Sequence, residues 1–300
     1  MIDSSGLPLR PMLRPGVRAV RNDDHHLRIG LGPGAVVLPD RPEVRALLAA
    51  MIDGRDQVSW DEAVLPHGIR LAEAGLLVDG ADFWSAVRRW RARGVTDAVV
   101  ADEFTHGPGA TDRLESRMID AVALSVPTPW RPALTKLLGD AGMRVTKPHS
   151  RRPPLARLIG SLGEIRRESL DPLIRAGAPH LLLTVVEGRV TVGPFVLAGR
   201  TACLRCVDAH LADIDPRRPL VSEQYADPVA DRLVPEPVDP LLLSLAQAMA
   251  VRDLATFAGG EEPATWSRVI DVDRSLRMPI RRFGRHPHCG CGWDELLDVG

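Results

Sequence analysis

The chain has 300 residues, of which 45% are hydrophobic and 26% charged, the make-up of a folded globular protein with room for two domains. Its 26 glycines and 26 prolines stay below the roughly 25% that marks low-complexity disorder. The 38 basic and 39 acidic residues cancel to a net charge of −1, which speaks against a dedicated nucleic-acid binder. Only Lys136 and Lys147 are lysine, so the arginine preference reads as genome composition and not as a phosphate site.

In chain order, Val17 to Arg21, His26 to Leu31 and Ala35 to Leu38 have strand character and are separated by turn residues. A helix is expected after Asp40, which can cap it, with Pro42 in its first turn and Val44, Leu47, Leu48 and Met51 as its apolar stripe. A second helix is expected from Asp61 to Ala74, weakened by Pro66 and Gly68, followed by a short strand to Val78. These elements predict a small winged-helix-like α+β module over residues 1–80. Its second helix carries a single arginine, which suits peptide binding better than a DNA groove. Residues 81–117 read as a linker: a basic amphipathic helix with Trp84, Val87 and Trp90, then a loop from Phe104 to Thr111.

Residues 118–300 alternate in the α/β manner. Strands are expected at Ala121 to Val126 and Met143 to Lys147, with a helix at Arg131 to Leu138 between them. Ile159 to Ala176 is expected to be largely helical. His180 to Val186 and Arg189 to Val196 flank Glu187-Gly188 as a hairpin. A long apolar helix over Leu241 to Phe257 and a strand over Thr265 to Val272 follow, while His210, Asp213 and Asp215 read as a solvated loop. The stretch Asp227 to Pro240 reads as a crossover. No run of 18 apolar residues is present, and the N-terminal MIDSSGLPLRPML lacks a signal-peptide core, so a cytoplasmic protein without a membrane partner is expected.

Two motifs concern chemistry. Cys203-x2-Cys206 and Cys289-x-Cys291 supply four thiolates, the donor set of a closed structural Zn²⁺ site, with His286 and His288 as substitute ligands. The run Gly30-Leu31-Gly32-Pro33-Gly34-Ala35 matches a dinucleotide fingerprint by letter but precedes strand and not helix, so it is set aside. In an α/β domain the informative position is the turn after the first strand, here Pro127-Thr128-Pro129-Trp130. It has no glycine, two residues without an N–H, and an indole where a phosphate would approach, so ATP is not expected on this chain.

The run Gly193-Pro194-Phe195-Val196, Gly199-Arg200-Thr201-Ala202-Cys203-Leu204-Arg205-Cys206, with His210 and Asp215-Pro216, and the closing Arg285-His286-Pro287-His288-Cys289-Gly290-Cys291-Gly292-Trp293, resemble the ThiF-like proteins of thiazole/oxazole-modified peptide biosynthesis. The N-terminal region is similar to theirs as well. The resemblance implies a ThiF-like, ubiquitin-activating-enzyme-like Rossmann-type domain with structural zinc, preceded by the winged-helix-like module. It implies a leader peptide-binding, cyclodehydratase C-protein role in bacteriocin-type biosynthesis. The partners would be a precursor peptide leader, a separate YcaO cyclodehydratase and, for assembly, a second copy of the chain. The missing glycine turn departs from adenylating relatives and favours a non-catalytic scaffold over an ATP-dependent adenylating enzyme. The peptide would add a strand along Val17 to Leu38, with Val17, Val20, Leu27, Ile29, Val36 and Leu38 as its expected contacts.

Overall fold

The computed structural model describes residues 6–91, 96–106, 110–119, 121–147, 150, 152–226 and 236–291. The chain divides into two compact units, Met1–Leu114 and Glu115–Gly300.

The first unit opens with β1 (Pro11–Leu13), β2 (Ala19–Arg21), β3 (His26–Ile29) and β4 (Val36–Pro39). Helices α1 (Pro42–Ala50) and α2 (Leu65–Glu73) follow, then β5 (Leu77–Asp79), α3 (Gly80–Arg91) and α4 (Thr96–His106). Strands β2, β3 and β4 form one antiparallel sheet in that order, and β1 pairs with β5 in a second. Ile29 and Leu38 on the sheet, Val44, Leu47 and Leu48 on α1 and Met51 at its C-cap close one core with Leu71 and Leu76. Glycine at position 68 has a packing reason: a Cβ there would lie 2.3 Å from the Trp60 ring. The indole thus packs directly on the α2 backbone, and the helix tolerates its glycine in exchange for that contact.

Three local expectations change here. Asp40 does not cap α1: Arg41 holds the cap position without a side-chain bond, and Asp40 pairs with Arg45 instead. α2 starts only at Leu65, because the Asp61 carboxylate takes the N–H groups of Ala63 and Val64 in a local turn. The expected loop from Phe104 is helical through His106, so α3 and α4 belong to the first unit and are no free spacer. Residues 107–109 lie outside the described residues.

Helix α5 (Ala110–Ile119) crosses the unit boundary. The second unit continues with β6 (Ala121–Ser125), α6 (Arg131–Asp140), β7 (Arg144–Val145), β8 (Ala156–Leu162), α7 (Asp171–Arg175), β9 (His180–Val186) and β10 (Arg189–Val196). It ends in α8 (Leu204–Ala212), α9 (Arg218–Ala226), α10 (Pro240–Ala258), β11 (Arg268–Val272) and β12 (Ile280–Arg282). The seven-stranded sheet runs β12-β11-β10-β9-β8-β6-β7. Strands β7, β6, β8 and β9 are parallel, and β10, β11 and β12 continue the sheet antiparallel. Ile159–Leu162, the start of the segment expected to be helical, therefore belongs to the central strand β8. Both its neighbours are parallel strands, and its inward residues Ala156 and Leu158 are buried against the main core.

Helix α10 covers one face of this sheet with Ala246, Ala250, Val251, Leu254 and Ala255. It is long and apolar enough to cross a membrane by length and composition, yet half of it is buried as a core helix. Asp239 caps it, accepting hydrogen bonds from the N–H groups of Leu241 and Leu242. Most of the expected crossover before it, residues 227–235, lies outside the described residues.

Candidate functional site

The four cysteines meet in the second unit. Cys203 occupies the N-cap position of α8 and Cys206 lies in its first turn. Cys289 follows a turn in which its N–H bonds the His286 carbonyl at 2.9 Å. Sulfur–sulfur distances are 3.7 Å for Cys203–Cys206, 3.5 Å for Cys203–Cys289 and 3.5 Å for Cys206–Cys291, and all four sulfurs lie within 4.8 Å of one another. A tetrahedron with metal–sulfur bonds of about 2.3 Å has edges of about 3.8 Å, so the set has the size of a four-thiolate metal cage. It is far too open for disulfides. Cys203 and Cys206 are buried, and Val196, Ala202, Ile174 and Phe283 pack around the cage. Hydrogen bonding among the thiols drives Cys206 well below the ordinary thiol range and Cys203 above it, while the Cys203 thiol helps pull Cys289 down to about 7. The cluster suits a metal ion such as zinc.

One face of α8 holds the C-terminal loop in place. Cys206, His210 and Asp213 recur at helical spacing. The Gly284 carbonyl oxygen lies 3.0 Å from His210 Nε2, and Asp213 Oδ2 lies 3.3 Å from His286 Nε2. His210 was expected in a solvated loop and stands on α8 instead, while Asp213 is the C-cap of that helix and Asp215 lies exposed just beyond it. His286 also accepts from the His288 N–H at 3.2 Å, so its two ring nitrogens are engaged away from the sulfurs. Arg167, 10% exposed, fixes α8 from its other side through paired bonds to Asp208 (2.7 and 2.8 Å) and one to Glu164 (2.8 Å). Burial opposes the guanidinium charge, but the two carboxylates more than offset it and its pKa is raised.

The topological switch point lies between β6 and β8, where connections leave on opposite sides of the sheet. The turn Thr128–Trp130 caps this crevice and folds the Trp130 side chain inward, leaving it 4% exposed. A Cβ at Gly160 on β8 would lie 2.7 Å from the Trp130 ring and 3.1 Å from Val126. The ring therefore rests on bare β8 backbone at the place where nucleotides enter folds of this class. The Gly30–Ala35 run forms the β3–β4 turn, with the Ala35 N–H bonded to the Gly32 carbonyl, and opens no helix.

In the first unit, β2 is an open edge among the described residues, with all three of its residues exposed. Gly30 N–H bonds the Arg18 carbonyl and Asn22 N–H the His26 carbonyl, which sets the alternation of the β2–β3 ladder. The backbone groups of Ala19 and Arg21 accordingly face the open edge. Beside them runs an apolar groove of about 710 Å³, lined by Val17, Ala19, Leu27, Leu48, Ile52 and Trp84 among others.

The six expected peptide contacts separate by pleat and burial. Val17 and Leu27 line the groove. Val20, 44% exposed, points to the opposite face of the sheet, because Ala19 and Leu27 share the groove face. Ile29, Val36 and Leu38 lie on the groove side but are buried in the core, out of reach of any added strand. The groove is also lined by Ile52, 74% exposed just past α1 and not among the expected contacts, and by Trp84, which was placed on the linker helix. An exposed isoleucine just past an otherwise buried helical stripe was the available signal.

No protein-family model matches the sequence, and no curated protein matches it. Solved structures do, and they define the class as the fold shared by MccB and the heterocyclases. The TruD heterocyclase superposes with a TM-score of 0.69 at 16% identity, covering 97% of this chain and 44% of its own. A heterocyclase in complex with substrate and cofactor gives 0.67 at 16% identity, covering 96% and 40%. E. coli MccB gives 0.64 at 13% identity, covering 95% and 99%. The chain thus spans less than half of these heterocyclases and nearly all of MccB, and what the likeness establishes is the fold.

Proposed function

We propose that this protein is a non-catalytic scaffold that binds the leader of a ribosomal precursor peptide and presents it to a separate YcaO cyclodehydratase for azoline formation. The observation that carries this reading is the β2 edge. It offers unpaired backbone groups alongside an apolar groove, the arrangement in which an extended peptide gains main-chain bonds from the edge and specificity from alternate side-chain pockets. A winged-helix-like use of the first unit for peptide recognition fits it. Val17, Leu27, Ile52 and Trp84 would contact the peptide. The seating of Trp130 on Gly160 supports a second unit without nucleotide chemistry. Cys203, Cys206, Cys289 and Cys291 would hold a structural Zn²⁺ that closes the domain and leaves no coordination position for substrate. A leader held this way raises the core peptide to about millimolar effective concentration at the partner's active site.

The test is panning of a displayed library of extended peptides on the full-length protein, with Ile52→Asp and Ala19→Pro as groove variants. Enriched peptides that lose binding to both variants support the reading. Peptides that bind the variants unchanged, or none enriched, overturn it. Calorimetry with Mg²⁺-ATP addresses the rival, an adenylating enzyme with a diverged loop: saturable micromolar binding with pyrophosphate exchange would replace the scaffold by that enzyme.

A further inference from the structure

A second cavity of about 380 Å³ adjoins the groove and shares Trp84 with it. Among the described residues, Arg10, Arg55, Arg88 and Arg91 line this cavity and no carboxylate does. Arg55 is partly satisfied by Asp53 at 3.4 Å and stacks over the Trp84 ring at 5.7 Å. Arg10, Arg88 and Arg91 line it without an ion pair among the described residues. Trp84, Arg88 and Arg91 recur at i, i+4 and i+7 on α3, so one helix face carries an aromatic wall followed by two cations. Trp84 itself is fixed by donating to the Asp53 carbonyl at 2.5 Å. A chain whose charges cancel overall has gathered four guanidinium groups at the end of an apolar groove.

Resting on the peptide reading above, we infer that this arginine pocket selects leaders in which one or more Asp or Glu residues flank the apolar strand segment. The apolar residues would fill the groove beside β2, and the carboxylates would pass Trp84 into the pocket. Arginine suits this task because its planar fork meets a carboxylate with two parallel N–H donors. Recognition of an acidic flank would set which precursor is bound, since unlike charge steers the right partner in and like charge keeps others out.

The experiment repeats the panning on full-length protein and on Arg88→Glu/Arg91→Glu, with circular dichroism to confirm that the exposed substitutions leave the fold intact. One enriched peptide is then compared with its Glu→Gln version by fluorescence anisotropy at two salt concentrations. Acidic flanks in the wild-type selection, a switch to neutral or basic flanks in the charge-reversed variant, and a loss of about tenfold for the Glu→Gln peptide would support the inference. Groove-dependent peptides without acidic bias would overturn it and leave the leader reading standing. Failure to enrich any groove-dependent peptide would remove the leader reading itself. A random 20-base-pair duplex that binds more tightly than the acidic peptide, and is lost in the charge-reversed variant, would overturn it in favour of nucleic acid.

Discussion

If the Trp130 ring fills the β6–β8 crevice, Gly160→Ala and Trp130→Leu must be energetically coupled. The alanine methyl would sit 2.7 Å from one ring carbon and 2.9 Å from another, with Val126 at 3.1 Å. The ring belongs to a side chain only 4% exposed, so it has nowhere to retreat. Overpacking of this kind costs about 1–3 kcal/mol. Trp130→Leu removes buried ring atoms and should cost somewhat less than the about 3–5 kcal/mol of a full truncation. In the double variant the new methyl enters space the indole has left, so the combined loss should fall short of the sum by about 1 kcal/mol or more. At roughly 2–4 °C per kcal/mol for a unit of this size, the shifts are readily measured. The assay is urea unfolding of the four proteins by far-ultraviolet circular dichroism, with calorimetry to assign the transition to the second unit. A neutral Gly160→Ala, or losses additive within about 0.5 kcal/mol, would refute the packing argument.

Other consequences are as direct. Ala19→Pro removes an N–H that faces the open edge and should leave unfolding unchanged while abolishing peptide capture; Val20→Pro removes an N–H from the β2–β3 ladder and should destabilise the first unit. Purified protein should carry one zinc per chain by elemental analysis, and Cys206→Ser should lose both the metal and several kcal/mol of stability in the second unit. Arg167→Met strips Asp208 of its paired guanidinium and leaves Glu164 with Arg218 at 3.6 Å as its remaining cation, and should cost about 3 kcal/mol, measured by denaturant midpoint. His180 is buried, and desolvation holds its pKa below the usual histidine value, aided by nearby Arg157. The unfolded chain therefore takes up a proton that the folded chain refuses. Stability is full above about pH 6.5 and falls as pH drops below it, and His180→Gln should flatten that slope in midpoints taken at pH 5.5 and 7.5.

What could be read from the sequence follows the range of the interaction involved. The cysteine pairs were legible because thiolate number and spacing are themselves the chemistry. The hairpin at Glu187-Gly188 was legible because its turn is local, and Glu187 adopts the positive φ of 52° that such a turn demands. β8 was not. Its sequence ARLIGSL breaks strict alternation at Leu158-Ile159-Gly160, and so short a run has no clean period to distinguish it from helix. β1 and β12 are three-residue edge strands whose existence depends on distant partners, β5 and β11. The apolar residues of Val17 to Leu38 were equally invisible as to role. Composition marks Leu27 and Leu38 alike, and only the helices packed beneath the sheet decide that one lines a groove and the other fills a core.

The cysteine cage also has a schedule. Cys203 and Cys289, whose sulfurs end 3.5 Å apart, are separated by 86 positions along the chain. At about 5–20 residues per second, the ribosome releases the second pair roughly 4–17 s after the first. During that interval Cys203 and Cys206 stand at the start of α8 as a half-filled ligand set, while α10 and the last strands are still being made. The cage cannot close around a partial domain, so its completion marks the moment when the antiparallel half of the sheet has arrived. Any ion it holds is thereby a record that the strands between the two pairs have been made as much as a clasp on the folded unit.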